Sequence, residues 1–569
     1  MLEMKFIKGT IVALAFILLN DIARGQTSVS FLPPMRIEPK LSANFGELRK
    51  NHFHSGLDYR TESRIGIPVY AVEDGYVARI FVSPFGFGRA AYLNHGLKYT
   101  SVYAHLDSFA PEIEKYVKEQ QYLAESFSIN VFPDKKRFPV KKGDLIGYSG
   151  NSGSSEGPHL HFEIRDQKTE EPLNPLAYKF VSIGDSIPPK IKRVLVYQID
   201  SVQGVPLPQV YKEISFKEGS PEDDTIAVPS SFFIGIESYD SMPNSSNEYL
   251  VRQVEAKVDS AILFNFDMTR FAFDESKYIN SVVDYNLFCT KKREVVRAFK
   301  DPNNKLSILS GMNGNGVVTL SDNKPCRISI KAIDSNGNEA NASVWVKREE
   351  GKIHKRRTLK EGIPVFFFKK QNLIIGKNAT VNIPGKSAYN SMLVSYHEEP
   401  NPRAFSKAII VGDKCQPLHA EFELKVRTSI PSELAEKAFV ARGSNTTFSY
   451  IGGDYSNGSI STTSSEFGRF FVDVDTTAPK VEPRQKVLGA LIPTNGVLLF
   501  AVSDDKTGID TFDVYIDGKW AVAEYDTKNS LAIVRLDEER IGTGRKHEIE
   551  FYIADKVGNI GFIKSLFYF

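Results

Sequence analysis

Gly157-Pro158-His159-Leu160-His161-Phe162-Glu163 is the stretch on which the reading of this chain depends. On a strand, period two puts both imidazoles on one face and sends Leu160 to the other, into a core. Pro158 is compatible with that strand only at its entrance. Two imidazoles side by side can share a metal, or divide the work as ligand and acid/base.

Working outward, His54 and Asp58 lie in Asn51-His-Phe-His-Ser-Gly-Leu-Asp58, and His105 lies in Tyr103-Ala-His-Leu106. Six of the ten histidines fall between positions 52 and 161, a crowding that points to a site. His54 and Asp58 could share one helix face at i and i+4. Gly56, with Asn51 and Ser55 nearby, favours a loop or bent strand instead. A carboxylate, two imidazoles and an open water position make the ligand set of a catalytic zinc site. Zinc there would bring the pKa of its water to about 7 and polarise a carbonyl, and a further histidine would serve the proton transfers. Taken singly, each motif is commonplace, since a lone histidine on an alternating strand is usually a core or surface residue. Together, in one short β segment, they form a set. His52 is expected behind the site or on the surface, and His95, in Asn94-His95-Gly96, at a turn. His354, His397, His419 and His547 are scattered.

The rest of the 569 residues predicts a mostly β protein of several domains. Residues 1–25 read as an export signal: Lys5 and Lys8, an apolar run from Ile11 to Leu19, then Ala23-Arg24-Gly25. That run is about half the roughly 20 residues of a membrane span; an uncleaved anchor is the alternative. No later segment is long and apolar enough to span. Export leaves periplasm, cell envelope and secretion open. The net charge of +2, or +1 without residues 1–25, gives no reason to invoke nucleic acid. Cys289, Cys326 and Cys415 are too few for a disulfide framework; one disulfide or buried free thiols both fit.

The domains expected are 26–180, holding all the candidate chemistry, then 187–350, 358–477 and 478–569. The first has short strand patterns such as Tyr76–Ile80 between glycine-rich turns, interrupted by an insert over 107–139 where Pro111 could open a helix with Ile113, Tyr116 and Val117 on one face. Beyond 187, Asp185-Ser-Ile-Pro-Pro-Lys-Ile191 recurs in form as Asp475-Thr-Thr-Ala-Pro-Lys-Val481, and Asp334-Ser-Asn-Gly-Asn338 as Asp555-Lys-Val-Gly-Asn559. With strands such as Ile549, Phe551 and Ile553 in alternation, 187–350 and 478–569 read as immunoglobulin-like β-sandwiches. A basic stretch, Lys352 to Arg357, precedes the β-rich middle region, in which Gly452–Ser465 is expected as an exposed loop.

Residues from about 45 to 176 resemble the lysostaphin-type, or LytM-like, zinc endopeptidases that cut peptide bonds in bacterial cell walls. The resemblance rests on Phe53-His-Ser-Gly-Leu-Asp58, Val69-Tyr-Ala-Val-Glu-Asp-Gly75, Tyr103-Ala-His-Leu106, Val140-Lys-Lys-Gly-Asp-Leu-Ile-Gly-Tyr-Ser-Gly150, Gly157-Pro-His-Leu-His-Phe-Glu163 and Leu173-Asn-Pro175. It implies a small two-sheet antiparallel domain in which His54, Asp58 and His161 bind one zinc ion, water being the fourth ligand. His159 would then be the general base or transition-state stabiliser, and His105 its partner across the site. The implied substrate is a peptidoglycan cross-linking or stem peptide. The insert at 107–139 departs from the family pattern, and the C-terminal half lies outside it, with a wall or protein ligand as its expected partner. The reading from a different class is a catalytically silent module that binds wall or activates a separate amidase.

Overall fold

The alternation around His161 is the feature that organises the first domain. Leu160, Phe162 and Ile164 are fully buried on one face, each worth roughly 1.5–3 kcal/mol, while His159, His161 and Glu163 take the other. The computed structural model describes residues 31–569 apart from positions 97, 182, 203–204, 217–224, 313, 350–362, 485–490 and 492. The expected export signal and the basic stretch 352–357 lie outside the described residues.

The elements that carry the site are β1 (Leu41–Ala43), β2 (Leu57–Arg60), β3 (Gly75–Val82), β4 (Arg89–His95), β5 (Tyr99–Ala104), α1 (Pro111–Ala124), β6 (Ile129–Val131) and β7 (His159–Asp166). The strands run in the order β1-β2-β7-β5-β4-β3-β6 in a nine-stranded antiparallel sheet. A smaller sheet of Pro68–Tyr70, Leu145–Ser149 and Leu106–Phe109 packs with it. Register places His161 opposite Asp58 on one side and Ala104 on the other. Between His54 and Asp58 the chain takes the loop or bent strand expected, not a helix: His54 follows a short strand, 54–56 carry no strand, and Asp58 lies in β2. The insert does contain a helix, α1, with Pro111 in its first turn beside Glu112 and Glu114, a placement that suits the helix N-terminus. It buries Ile113 and Val117, and Tyr116 packs against the core from a half-buried position.

The chain beyond residue 187 is almost wholly antiparallel β. Facing sheets fill 190–348, 365–474 and 480–568, the last built from Lys480–Pro483, Val497–Ser503, Leu531–Arg535 and Ala523–Asp526 against Lys519–Ala521, Ile509–Ile516, Lys546–Asp555 and Ile560–Tyr568. The sequence repeat is also a structural one. Asp334 accepts the N–H groups of Asn336, Gly337 and Asn338, and the Asn338 amide donates to Asp334 and to the Asp185 carbonyl. In the last unit Asp555 accepts from Val557 and Asn559, whose amide donates to Asp555 and to the Asp475 carbonyl.

Two expectations need correction. Gly452–Ser465 is not a loop: Asp454–Ser456 and Ser459–Glu466 pair across an Asn457-Gly458 turn, both residues at positive φ, as a tight hairpin requires. His95 ends β4 buried rather than in a turn, with its ring nitrogens on the Asp74 carbonyl and the Ser101 hydroxyl. A disulfide joins Cys289 to Cys415 across 126 positions, and Cys326 is a buried free thiol.

One buried apolar cluster runs from Phe31 through the first sandwich to Tyr389, so the N-terminal domain and its neighbour share a core. The last unit folds back onto α1. Lys118 pairs with Asp537 at 2.8 Å, Arg540 lies 3.7 Å over the Tyr122 ring, Trp520 meets that ring edge-on at 5.8 Å, and the Lys528 ammonium donates to the Asn151 carbonyl. Among the described residues no helix is long and apolar enough to cross a membrane.

Candidate metal centre

All five residues singled out from the sequence come together where β2, β5 and β7 meet. His54 Nε2, Asp58 Oδ1 and His161 Nδ1 converge: His54 to Asp58 is 3.0 Å, His161 to Asp58 2.8 Å and His54 to His161 3.1 Å. His159 Nε2 stands 3.5 Å from the same Asp58 oxygen. The His105 ring lies 4.8 Å from that of His159 and 5.8 Å from that of His161.

The second nitrogen of each imidazole decides what the first can do. His54 Nδ1 donates to the Asn44 carbonyl at 2.7 Å, and His161 Nε2 to Glu163 Oε1 at 2.9 Å. His159 Nδ1 donates to the Gly157 carbonyl and His105 Nδ1 to the Ser152 carbonyl, both at 2.8 Å. Each of those partners can only accept, so in the neutral rings the protons sit on these outer nitrogens. His54 and His161 therefore present lone pairs to each other and to a carboxylate. With both rings neutral, three electron-rich atoms at these separations repel one another and are complementary to a cation, a proton or a metal ion.

The electrostatics run the same way. Burial opposes a positive charge at His161, but Asp58 and Glu163 together raise it to about 9. Burial would raise Asp58, yet the charge of His54 and the hydrogen bonds of His159, His161 and His54 hold it well below the usual carboxylate range. Burial, then the neighbouring His161 and His159 rings, pushes His105 down to about 3, so that ring is neutral. The site thus favours positive charge at the His54–Asp58–His161 cluster and excludes it from His105.

Local sequence builds this geometry. Gly56 is obligatory, because a Cβ there would lie 2.4 Å from the Phe162 carbonyl and 3.0 Å from the His161 ring. His105 has φ of 59°, a left-handed conformation rare outside glycine, at the junction where β5 leaves the large sheet for the small one. Glu163, fully buried, was quoted in the sequence motif but given no role there. It accepts from His161, from Arg165 Nε at 2.6 Å and from the Ser55 hydroxyl. Burial would raise its carboxyl, but Arg165 and His161 bring it to about 2. Period two from His161 gives its orientation, so a parity argument reaches it. The Asn44 carbonyl, a main-chain group, has no such signature.

A fold with this cluster defines a class of metallopeptidase domain, and comparison with known proteins agrees. The profile of peptidase family M23 matches residues 52–132 and 128–175, and that of a Zu5-like domain matches residues 364–475. The chain therefore carries an M23, LytM-type domain near its N-terminus. An uncharacterized metalloprotease of Haemophilus influenzae is 32% identical over 152 residues, 26% of each chain. The DD-carboxypeptidase/endopeptidase Mpg of Neisseria meningitidis is 29% identical over 25% of this chain and 28% of its own. The peptidoglycan DD-endopeptidase ShyA of Vibrio cholerae is 29% identical over 23% of this chain and 26% of its own. The match thus spans about a quarter of these relatives' length.

Proposed function

We propose that this chain is an exported zinc endopeptidase that hydrolyses peptide bonds of bacterial peptidoglycan. The observation that carries the reading is the convergence of His54 Nε2, Asp58 Oδ1 and His161 Nδ1, each imidazole held by an acceptor on its far side. Zinc bound there would polarise the scissile carbonyl and acidify a water.

The chain's own residues do the rest. His159, its Nδ1–H fixed on the Gly157 carbonyl, turns a bare Nε2 toward the site; it takes a proton from the attacking water and returns it to the leaving amine. His105, neutral and held by Ser152, faces it across the site and keeps a second acceptor there. Glu163 and the Asn44 carbonyl orient the two imidazole ligands. The peptidoglycan substrate is supported by the DD-endopeptidases among the relatives. That substrate supports an exported location, in the periplasm or cell envelope or secreted. We read the facing-sheet units at 187–350 and 478–569 as immunoglobulin-like domains around a Zu5-like middle region, with wall or a protein partner as their ligand.

Mass spectrometry of peptides released from purified sacculi by residues 26–569, with zinc and with His161→Ala as control, tests the proposal. Cleaved cross-links or stems with the wild type and none with the variant are expected. Zinc-free protein that releases nothing would instead support a silent binding module.

A further inference from the structure

The face of the large sheet that carries His161 continues well past the metal centre. Register aligns Glu163 on β7 with Val102 on β5, Val102 with Tyr92 on β4, and Tyr92 with Arg79 on β3. Glu163 and His161 share a face because they bond to each other. The outer apolar cluster of Ala90, Tyr92, Val102 and Ala104, with Phe81 and Phe87 against it, lies on that face, apart from the main core. Phe87 links it to the site, its ring 5.3 Å from that of His161. Ile80 and Val82, of opposite parity, are fully buried in the main core.

Three arginines stand on this face: Arg60, opposite His159, is taken up by the Leu41 carbonyl and Asn247, and the two on the other side of the site differ in their partners. Arg165 is neutralised, 2.6 Å from Glu163 and 3.6 Å from Glu170. The Arg79 guanidinium lies 4.7 Å over Tyr92, 5.5 Å from the Phe81 ring and 5.7 Å from that of Phe132. Its Nε donates to Asn130 Oδ1 at 2.8 Å, and among the described residues no carboxylate pairs with it. One nitrogen is therefore committed to a neutral side chain, while stacking fixes the plane of the other two. A half-buried guanidinium held in this way is organised for a carboxylate, which it can grip with two parallel N–H bonds. Phe132, 69% exposed one residue after β6, walls the position from the insert side.

We propose that Arg79 is a specificity-determining residue that receives a free carboxylate of the peptide substrate. Three strand spacings of about 4.8 Å separate β7 from β3, and the row through Arg79 lies two residues along β7 from His161, so the carboxylate sits on the order of 16 Å from the metal centre. An extended peptide covers that in about five residues at ~3.3 Å each. The insert, which supplies Asn130 and Phe132, would then be part of the recognition surface. This inference rests on the peptidase reading above.

The test uses a cross-linked stem-peptide dimer with free carboxylates, its amidated counterpart, and the wild-type, Arg79→Gln and Arg79→Lys chains. Binding is measured on chelator-treated protein and turnover on zinc-loaded protein. For the free carboxylate, Arg79→Gln should weaken binding and raise KM about tenfold or more with kcat unchanged, the scale of a lost charged hydrogen bond. Arg79→Lys should fall between, and amidation should weaken wild-type binding while leaving Arg79→Gln unaffected. Equal binding of both peptides by wild type and Arg79→Gln overturns the proposal. Carboxylate-dependent, Arg79-dependent binding without cleavage by zinc-loaded protein would uphold the carboxylate site and sink the peptidase reading.

Discussion

Glu163→Gln is the substitution that separates metal affinity from mere folding. Glu163 Oε1 accepts from His161 Nε2 at 2.9 Å and from Ser55, and Oε2 accepts from Arg165 Nε at 2.6 Å. Glutamine keeps the shape but turns one oxygen into a donor. Either His161 and Ser55 or Arg165 then faces N–H against N–H or O–H. Losing a charged hydrogen bond costs about 1.5–3 kcal/mol, and a buried ion pair broken on one side costs about 3–5 kcal/mol. Glu170, 3.6 Å from Arg165, offsets part of this, so a stability loss of about 3 kcal/mol is expected. Zinc affinity should fall 10–100-fold, since the ring that presents Nδ1 is no longer held from behind. Competition against a chromogenic chelator reads the affinity and thermal unfolding reads the stability. Glu170→Gln, at an exposed carboxylate, is the control and should change neither by much. Wild-type zinc affinity in a folded Glu163→Gln chain would refute the orienting role.

The other predictions concern separate groups. His161→Ala should lose zinc, leaving two ligands, whereas His159→Ala should keep zinc and lose about 10²–10⁴-fold in turnover; metal content and kcat together read this, and a zinc-free His159→Ala chain would exchange the assigned roles. Burial, then the charges of Asp334 and Asp185, pushes Asp240 up to about 8. The fold thus keeps a proton that the unfolded chain releases near pH 4, and stability falls as pH rises from there to about 8. Asp240→Asn should stabilise by about 2–4 kcal/mol at pH 9 and by little at pH 4; identical pH–stability slopes for the two chains would count against it. Cys415→Ser opens a closure of 126 positions, worth up to roughly 5 kcal/mol in chain entropy, and should lower the thermal midpoint to that of reduced wild type.

The strand at His159–Asp166 was readable because apolar and site residues alternate strictly, and the bend at Gly56 because glycine and small polar residues interrupt the pattern. α1 announced itself through Pro111 and the spacing of Ile113 and Val117. The hairpin at Asp454–Glu466 was missed because its composition is polar: Ile460 is its one fully buried aliphatic side chain, and the Asn457-Gly458 turn was the stronger signal. His95 was misplaced for a related reason, since the glycine beside it marks the turn that follows rather than the residue itself. What the sequence could not disclose is which main-chain groups face the imidazoles, because a carbonyl acceptor such as that of Asn44 or Ser152 has no residue preference.

Those main-chain groups also explain why the β-sandwiches belong to the site. The Asn44 carbonyl that orients His54 is itself fixed from the neighbouring domain: the Asn44 amide donates to the Leu250 carbonyl at 2.8 Å and accepts from the Leu250 N–H at 3.3 Å. The Phe53 N–H, one residue before His54, donates to Ser276 at 2.8 Å, and the Phe53 ring packs 5.3 Å from Phe271. On the opposite rim, Lys528 of the last unit holds the Asn151 carbonyl, one residue before the Ser152 carbonyl that orients His105. A proposed ligand and a proposed catalytic histidine are thus positioned by loops that two other domains pin down. A metal centre tolerates only small errors in ligand placement, so loosening either contact should be felt there before it is felt in the sheet, where Leu160, Phe162 and Ile164 are fully buried.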